Sequence, residues 1–284
     1  MGGREVWVMK LRIVCAVVSL VALLGVSSVV WAQGVEAPSL DEILQRLEAN
    51  LNHYDKSVPS FFCDEHVVSQ VMPGRDQETV TDSVFRLKRT AEANHTTSLV
   101  ESREIKKVNG KAASSQDMKG PSLVSGAFEG GLDIVSLNQR GCMKYALQPI
   151  NAKRPKEPYV VGFATALTRE NFAECLLQEK SSGRVFVDPA SMQITRLELT
   201  TPHHAIIPWS AGSPAVTGKR ELTVEYSPVE LGGDTFWMPS SITSRDTSKG
   251  GFDVTVWSYR ATYRNYHRLE VKSRILPGSE TAVP

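Results

Sequence analysis

Four consecutive residues, Cys63-Asp64-Glu65-His66, bring a thiol, two carboxylates and an imidazole together in the chain. These residue types build nucleophilic and metal centres. Their spacing works against both. In an extended segment successive side chains point to opposite faces, so Cys63 and Glu65 share one side and Asp64 and His66 the other. The four cannot converge on one atom, and a buried Cys63 with exposed neighbours is expected. His203-His204 is a second candidate, but adjacent side chains diverge and no acid follows within five residues. A surface loop is expected there rather than a metal site. Asn94-His95-Thr96 matches the glycosylation sequon, a pattern short enough to arise by chance. The chain has no Gly-x-Ser-x-Gly elbow, no P-loop and no dinucleotide fingerprint. No catalytic residue, cofactor or metal is expected.

Binding is better represented than catalysis. Trp257, Tyr259, Ala261 and Tyr263 recur at every second position and share one strand face. With Phe236 and Trp237 from the preceding strand, the aromatics Phe236, Trp237, Trp257, Tyr259 and Tyr263 are the candidate lining of an apolar groove. The same face would serve equally well as a packing surface under a helix, because any half-buried strand shows this alternation.

One helix stands before these strands. Ser39 and Glu42 have the spacing of a capping box, and Leu40, Ile43, Leu44, Leu47, Leu51 and Tyr54 follow on one face. This predicts an amphipathic helix from Ser39 to about Asp55 that packs on a sheet. Strands follow at Phe61–Val71, near 79–89, Ser98–Val108, Met143–Leu147 and Tyr159–Leu167. A short helix capped by Thr168 is predicted to run to Leu177. Arg184–Val187, Gln193–Leu199, Leu222–Tyr226, Thr235–Met238, Ser241–Arg245 and Phe252–Asn265 complete the set. Pro239 marks an edge or a bulge. Residues 111–121 and 202–218 read as long polar loops, and 123–137 as a helix weakened by Gly130-Gly131. One helix followed by hairpin-linked strands, with no βαβ crossover, is an α+β architecture with an antiparallel sheet.

The first residues give the address. Arg4, Lys10 and Arg12 precede an apolar run from Ile13 to Val30, and Val30-Trp31-Ala32 stands just before Gln33. This pattern is a signal peptide cleaved after Ala32. The run approaches the ~18–20 residues of a spanning helix, but Ser19, Gly25, Ser27 and Ser28 interrupt it and the cleavage sequence follows at once. Residues 1–32 are therefore expected to leave, 33–275 to form one domain, and 276–284 to fray as a tail. No stable membrane span is expected after cleavage. Cleavage leaves 252 of the 284 residues and removes three of 32 basic and one of 31 acidic residues, so the formal net charge falls from +1 to −1. That balance offers nothing to nucleic acid or an anionic surface. Cys63, Cys142 and Cys175 remain. Export permits one disulfide and one buried thiol, and spacing leaves all three pairings open.

The stretch Ser181-Ser182-Gly183-Arg184-Val185-Phe186-Val187-Asp188-Pro189, followed by Ile194-Thr195-Arg196-Leu197-Glu198, resembles a strand-turn-strand of the bacterial lipoprotein-carrier and lipoprotein-sorting group. Trp237-Met238-Pro239 and Tyr263-Arg264-Asn265-Tyr266 resemble it too. A closer likeness is to uncharacterised secreted bacterial proteins, through Val58-Pro59-Ser60-Phe61-Phe62-Cys63, Tyr226-Ser227-Pro228-Val229 and Tyr266-His267-Arg268-Leu269-Glu270. It covers most of 58–275 and brings no activity with it. The resemblance implies an N-terminal amphipathic helix packed on a curved antiparallel sheet, an incomplete β-barrel whose concave face holds acyl chains. Two functions follow as expectations. One is an exported, periplasmic or secreted, non-enzymatic protein binding a lipid, a lipoprotein acyl chain or another apolar ligand. The other is a structural or interaction protein of the envelope with a protein partner. An unrecognised hydrolase has only scattered His and acidic residues for support.

Overall fold

A computed structural model describes residues 37–71, 78–91, 97–113, 132–151, 153–206, 216–250 and 252–270. The segments expected as a signal peptide (1–32) and a C-terminal tail (276–284), the 94–96 sequon and most of the loop expected at 111–121 lie outside them.

Helix α1 (Leu40–Ser57) begins as its sequence dictates. Ser39 Oγ accepts from the Glu42 amide at 3.3 Å, and the Ser39 amide donates to Glu42 Oε2 at 2.7 Å. Both orphan donors of the first turn are thereby satisfied. The helix ends at Val58, whose extended backbone suits the Pro59 that follows. Ile43, Leu44, Leu47, Leu51 and Tyr54 form its buried stripe. No helix among the described residues is long and apolar enough to cross a membrane.

Eleven strands make one antiparallel sheet: β1 (Phe61–Val71), β2 (Glu78–Ala91), β3 (Thr97–Val108), β4 (Lys111–Ala112), β5 (Met143–Leu147), β6 (Tyr159–Thr165), β7 (Ser182–Val187), β8 (Ile194–Ile206), β9 (Val216–Leu231), β10 (Asp234–Gly250) and β11 (Phe252–Arg268). The order is β4-β3-β2-β1-β11-β10-β9-β8-β7-β6-β5, and the ends do not pair, so the sheet is a curved half-barrel rather than a closed one. It consists of two meanders, β1 to β4 and β5 to β11. They join at the β1–β11 pair, where Phe61 faces Arg268 and Val71 faces Trp257. Register shifts occur at Phe62/Asp64, Asp82/Ser83, Phe186/Val187, Thr201/His204, Pro239/Ser241 and Asp246/Thr247. Bulges bend a strand and raise its twist, which curls the sheet around α1.

The concave face carries the core. Leu197, Val224, Ile242, Ala261 and Val67 form one cross-strand row, all buried. At one end of the strands α1 covers this face, with Tyr54 and His53 against Phe236 at 6.4 and 5.7 Å between rings.

Two sequence expectations need correction. The 202–218 stretch is not one loop, because β8 runs on to Ile206 and β9 starts at Val216. Pro202 is accommodated at a register shift, where the missing N–H leaves no gap in the ladder. The helix expected after Thr168 is only a 3-10 turn at Phe172–Glu174. Asn171 Nδ2 donates to the Gly141 and Ala166 carbonyls at 2.8 and 3.1 Å, which holds the segment back across β5 and β6 and stops it winding. Of the helix expected over 123–137, residues 123–131 lie outside the described residues; Leu132 and Asp133 are helical, and a 3-10 turn follows at Leu137–Gln139.

That last segment meets α1 through carboxylates. The Leu137 amide donates to Glu48 Oε2 at 2.8 Å. Burial, then the charges of Asp55 and Glu48, push the Asp133 carboxyl up from 3.8 to about 6. A folded pKa above the unfolded one means that folding takes up a proton between about pH 4 and 6, so this group favours the fold below that window and opposes it above. Asp133 is half-buried, and solvent screening holds the penalty at neutral pH to about 1–2 kcal/mol. Asp133→Asn should therefore raise the urea midpoint at pH 7.5, and the gain should shrink towards zero at pH 4. A gain independent of pH would show that the charge is not the cause.

Candidate functional site

Beyond the apolar row the concave face changes character. One row on, two residues along each strand, are Leu199, Leu222, Ser244, Tyr259 and Ser69, and the next row is Thr201, Arg220, Asp246, Trp257 and Val71. Over these two rows lies an open cleft of about 580 Å³, within the usual size of a small-ligand site. Leu199, Leu222 and Trp257 give its floor an apolar surface, beside Thr201, Ser244 and Arg220.

The wall is the segment from Leu176 to Glu179 with Ser181. It is held at both ends. Cys142 and Cys175 form a disulfide that ties its start to the residue before β5. The Leu176 amide donates to Gln139 Oε1 at 3.0 Å. At the other end Ser181 and Thr201 hydroxyls share a hydrogen bond of 2.8 Å, and His204 Nδ1 lies 2.7 Å from Glu179 Oε2. The His203-His204 pair thus sits on β8, and His204 finds its acid 25 residues earlier in the chain, a partner that neighbouring sequence could not reveal.

The charged residues of the floor are paired. Arg220 Nε and Nη2 donate to the two Asp246 oxygens at 2.8 and 2.7 Å, a bidentate charge-assisted contact. Only 2% of the Asp246 side chain is exposed. The guanidinium also lies 5.5 Å from the centre of the Trp257 ring, within cation–π range.

The five aromatics expected to line a groove fall in different places. Trp257 lines the cleft. Tyr259 is buried beside it, its ring 6.2 Å from that of Trp257. Tyr263 is buried edge-on against Phe85 at 6.0 Å. Phe236 packs under α1, and with the half-buried Trp237 it borders a void of only about 20 Å³ between helix and sheet. The seam under the helix is therefore packed, and the open space lies further along the strands. Leu176, Leu177, Leu199, Leu222, Arg220 and Asp246 were not singled out from sequence. Arg220 and Asp246 did leave a signal, since each is a charge at an inward position, in phase with Leu222-Val224 and with Ile242-Ser244.

The Cys63–His66 run keeps the strand alternation. Asp64 and His66 face outward, where they meet Asn265 and Asp82, each at 2.7 Å. Cys63 is buried, and burial first, then Glu65, pushes its thiol up, away from the reactive thiolate. Glu65 corrects the expectation of exposed neighbours, being 1% exposed. Arg103 Nε reaches its two oxygens at 3.0 and 3.1 Å and Ser83 donates at 2.9 Å. Among the described residues no group of His, Cys, Asp and Glu is placed to hold a metal ion.

No protein-family model matches the chain, and no curated protein matches it. Solved structures do. A LolA superfamily protein from Nitrosomonas europaea is 13% identical, with 85% of this chain and 96% of that one covered and a TM-score of 0.34. An outer membrane lipoprotein-sorting protein domain from Vibrio parahaemolyticus is 10% identical over 78% and 90%, with a TM-score of 0.36. A DUF1329 family protein from Desulfovibrio piger is 8% identical over 82% and 94%, with a TM-score of 0.40.

Proposed function

We propose that this chain is an exported binding protein that holds an apolar chain, such as a lipid acyl chain, in the cleft between the β8–β11 floor and the Leu176–Ser181 wall. The observation that carries this reading is the cleft itself: about 580 Å³, open to solvent, with five large apolar side chains facing it. Unfilled apolar surface of this kind costs about 25 cal/mol per Å² that a ligand would remove from water. Export is supported by the basic-then-apolar start of the sequence. The buried Cys142–Cys175 bridge agrees with it, since disulfides persist in oxidising compartments. Cys63 is buried on the opposite face of β1 from Asp64 and His66, so these residues do not form one nucleophilic centre.

Native mass spectrometry of the exported protein tests both parts. The mature mass should begin at Gln33, and a lipid-sized adduct should accompany it. Leu222→Lys, at a half-buried floor position, should lower adduct occupancy about tenfold and leave the fold intact by circular dichroism. Protein that carries no adduct and gains none when offered lipid would sink the reading.

A second reading is an interaction protein of the envelope. Its support is the filled helix–sheet seam and two exposed side chains, Phe172 in the 3-10 turn before the wall at 46% and Leu176 at the wall's start at 40%. Crosslinking from position 172 in intact cells should then capture one recurrent protein. Its absence, together with a lipid adduct, would decide for the first reading.

A further inference from the structure

The chemistry around the cleft goes further than an apolar floor, and the following step rests on the binding reading above. Four charged or titratable side chains stand at the cleft. Arg220 and Asp246 are joined by two charge-assisted hydrogen bonds, and Glu179 is joined to His204. Arg220 is the one residue of fixed positive charge among those that line the space. Its charge is already spent on a carboxylate with 2% exposure. A free fatty acid would bring a second carboxylate into this setting. Meeting it through a spare N–H would set two carboxylates about one positive charge, and like charges that close repel; leaving Asp246 to meet it in full would strand a buried charge, which is strongly unfavourable. A neutral carbonyl makes no such demand. Arg220 Nη1 takes no part in the contact to Asp246, and a guanidinium has five N–H donors. The Thr201 and Ser244 hydroxyls stand beside it on the floor.

We propose that the cleft takes its acyl chain as a neutral ester or amide and rejects the free carboxylate, and that the Arg220–Asp246 pair sets this choice. Asp246 acts as a specificity residue by holding Arg220 neutralised.

The test uses the full mature chain at pH 8, dodecanoic acid, methyl dodecanoate, and displacement of an uncharged fluorescent probe. The wild type should bind the ester at least tenfold more tightly than the acid. Any greasy site favours the ester to some degree, so the variants decide. Asp246→Asn should tighten the acid about tenfold or more with little change for the ester, because Arg220 is then free to pair with it. The double variant Arg220→Leu with Asp246→Leu removes both charges. It should keep ester binding and reject the acid as the wild type does. If Asp246→Asn does not fold, Asp246→Ser takes its place with the same expectation, and an unchanged ratio there overturns the proposal equally. An acid that binds the wild type as well as the ester does, or a folded Asp246→Asn with an unchanged ratio, overturns this proposal and leaves the binding reading standing. Failure of both ligands to displace the probe overturns the binding reading and this proposal with it.

Discussion

The antiparallel pair of β1 and β11 is the contact on which everything else depends. Among the described strands it is the one place where strands distant in sequence meet, Phe61 opposite Arg268 at one end and Val71 opposite Trp257 at the other. Every other neighbouring pair is consecutive in the chain, so each meander can form by local hairpins. The seam cannot. It closes a loop of about two hundred residues, whose entropy must be met before the pairing returns anything. Once made, it places α1 and β1 at the middle of the sheet and fixes which side chains of the two meanders share a row. The buried row Val67-Ala261-Ile242-Val224-Leu197 exists only because the seam is in register, since a slip of one residue would turn every side chain to the other face.

Two ion pairs sit on this concave face, and the contrast between them is informative. Glu65 and Arg103 lie deep, at 0% and 8% side-chain exposure, with Ser83 completing the carboxylate's contacts. Arg220 keeps 35% of its side chain exposed while Asp246 keeps 2%. Burying a matched pair gains little over apolar packing, whereas leaving one partner alone is costly. Both pairs therefore act more as constraints than as sources of stability. The first ties β1 to β3, across β2. The second ties β9 to β10 and leaves its cation at the edge of open space.

Local features were legible in the sequence because local physics makes them. The Ser39–Glu42 capping box, the α1 stripe, the limits of β1 and β5, and a bulge at Pro239 all follow from spacing and propensity within a few residues. What was not legible depends on partners far along the chain. Proline and paired histidines at 202–204 read as loop, yet β9 and Glu179 hold them in β8. Glu65 read as exposed because Arg103 is not near it in sequence. The cysteine pairing was open until the sheet brought residue 142 beside 175. The candidate groove shows the same division. Trp257 was identified by its alternation, but alternation cannot say which stretch of a buried face a helix covers. The five aromatics were treated as one site, and the packing of Phe236 under Tyr54 separates them.

The cleft needs its wall more than its floor. Floors of this kind follow from any curved sheet longer than the helix laid across it, because the rows beyond the helix have nothing above them. A wall must be held against solvent by something other than hydrophobic packing, since it faces the space to be filled. Here the disulfide at Cys175, the Ser181–Thr201 bond and the Glu179–His204 contact fix a short segment on both sides of Leu176 and Leu177. A covalent staple and polar contacts hold a backbone in place without covering its apolar side chains. That leaves Leu177 facing the cleft and Leu176 at its rim, still 40% exposed. A segment held this way has little to gain by collapsing onto the floor, so the space stays open for an occupant. On the proposed binding reading, a wall ordered in advance would also lower the entropy an incoming chain must overcome.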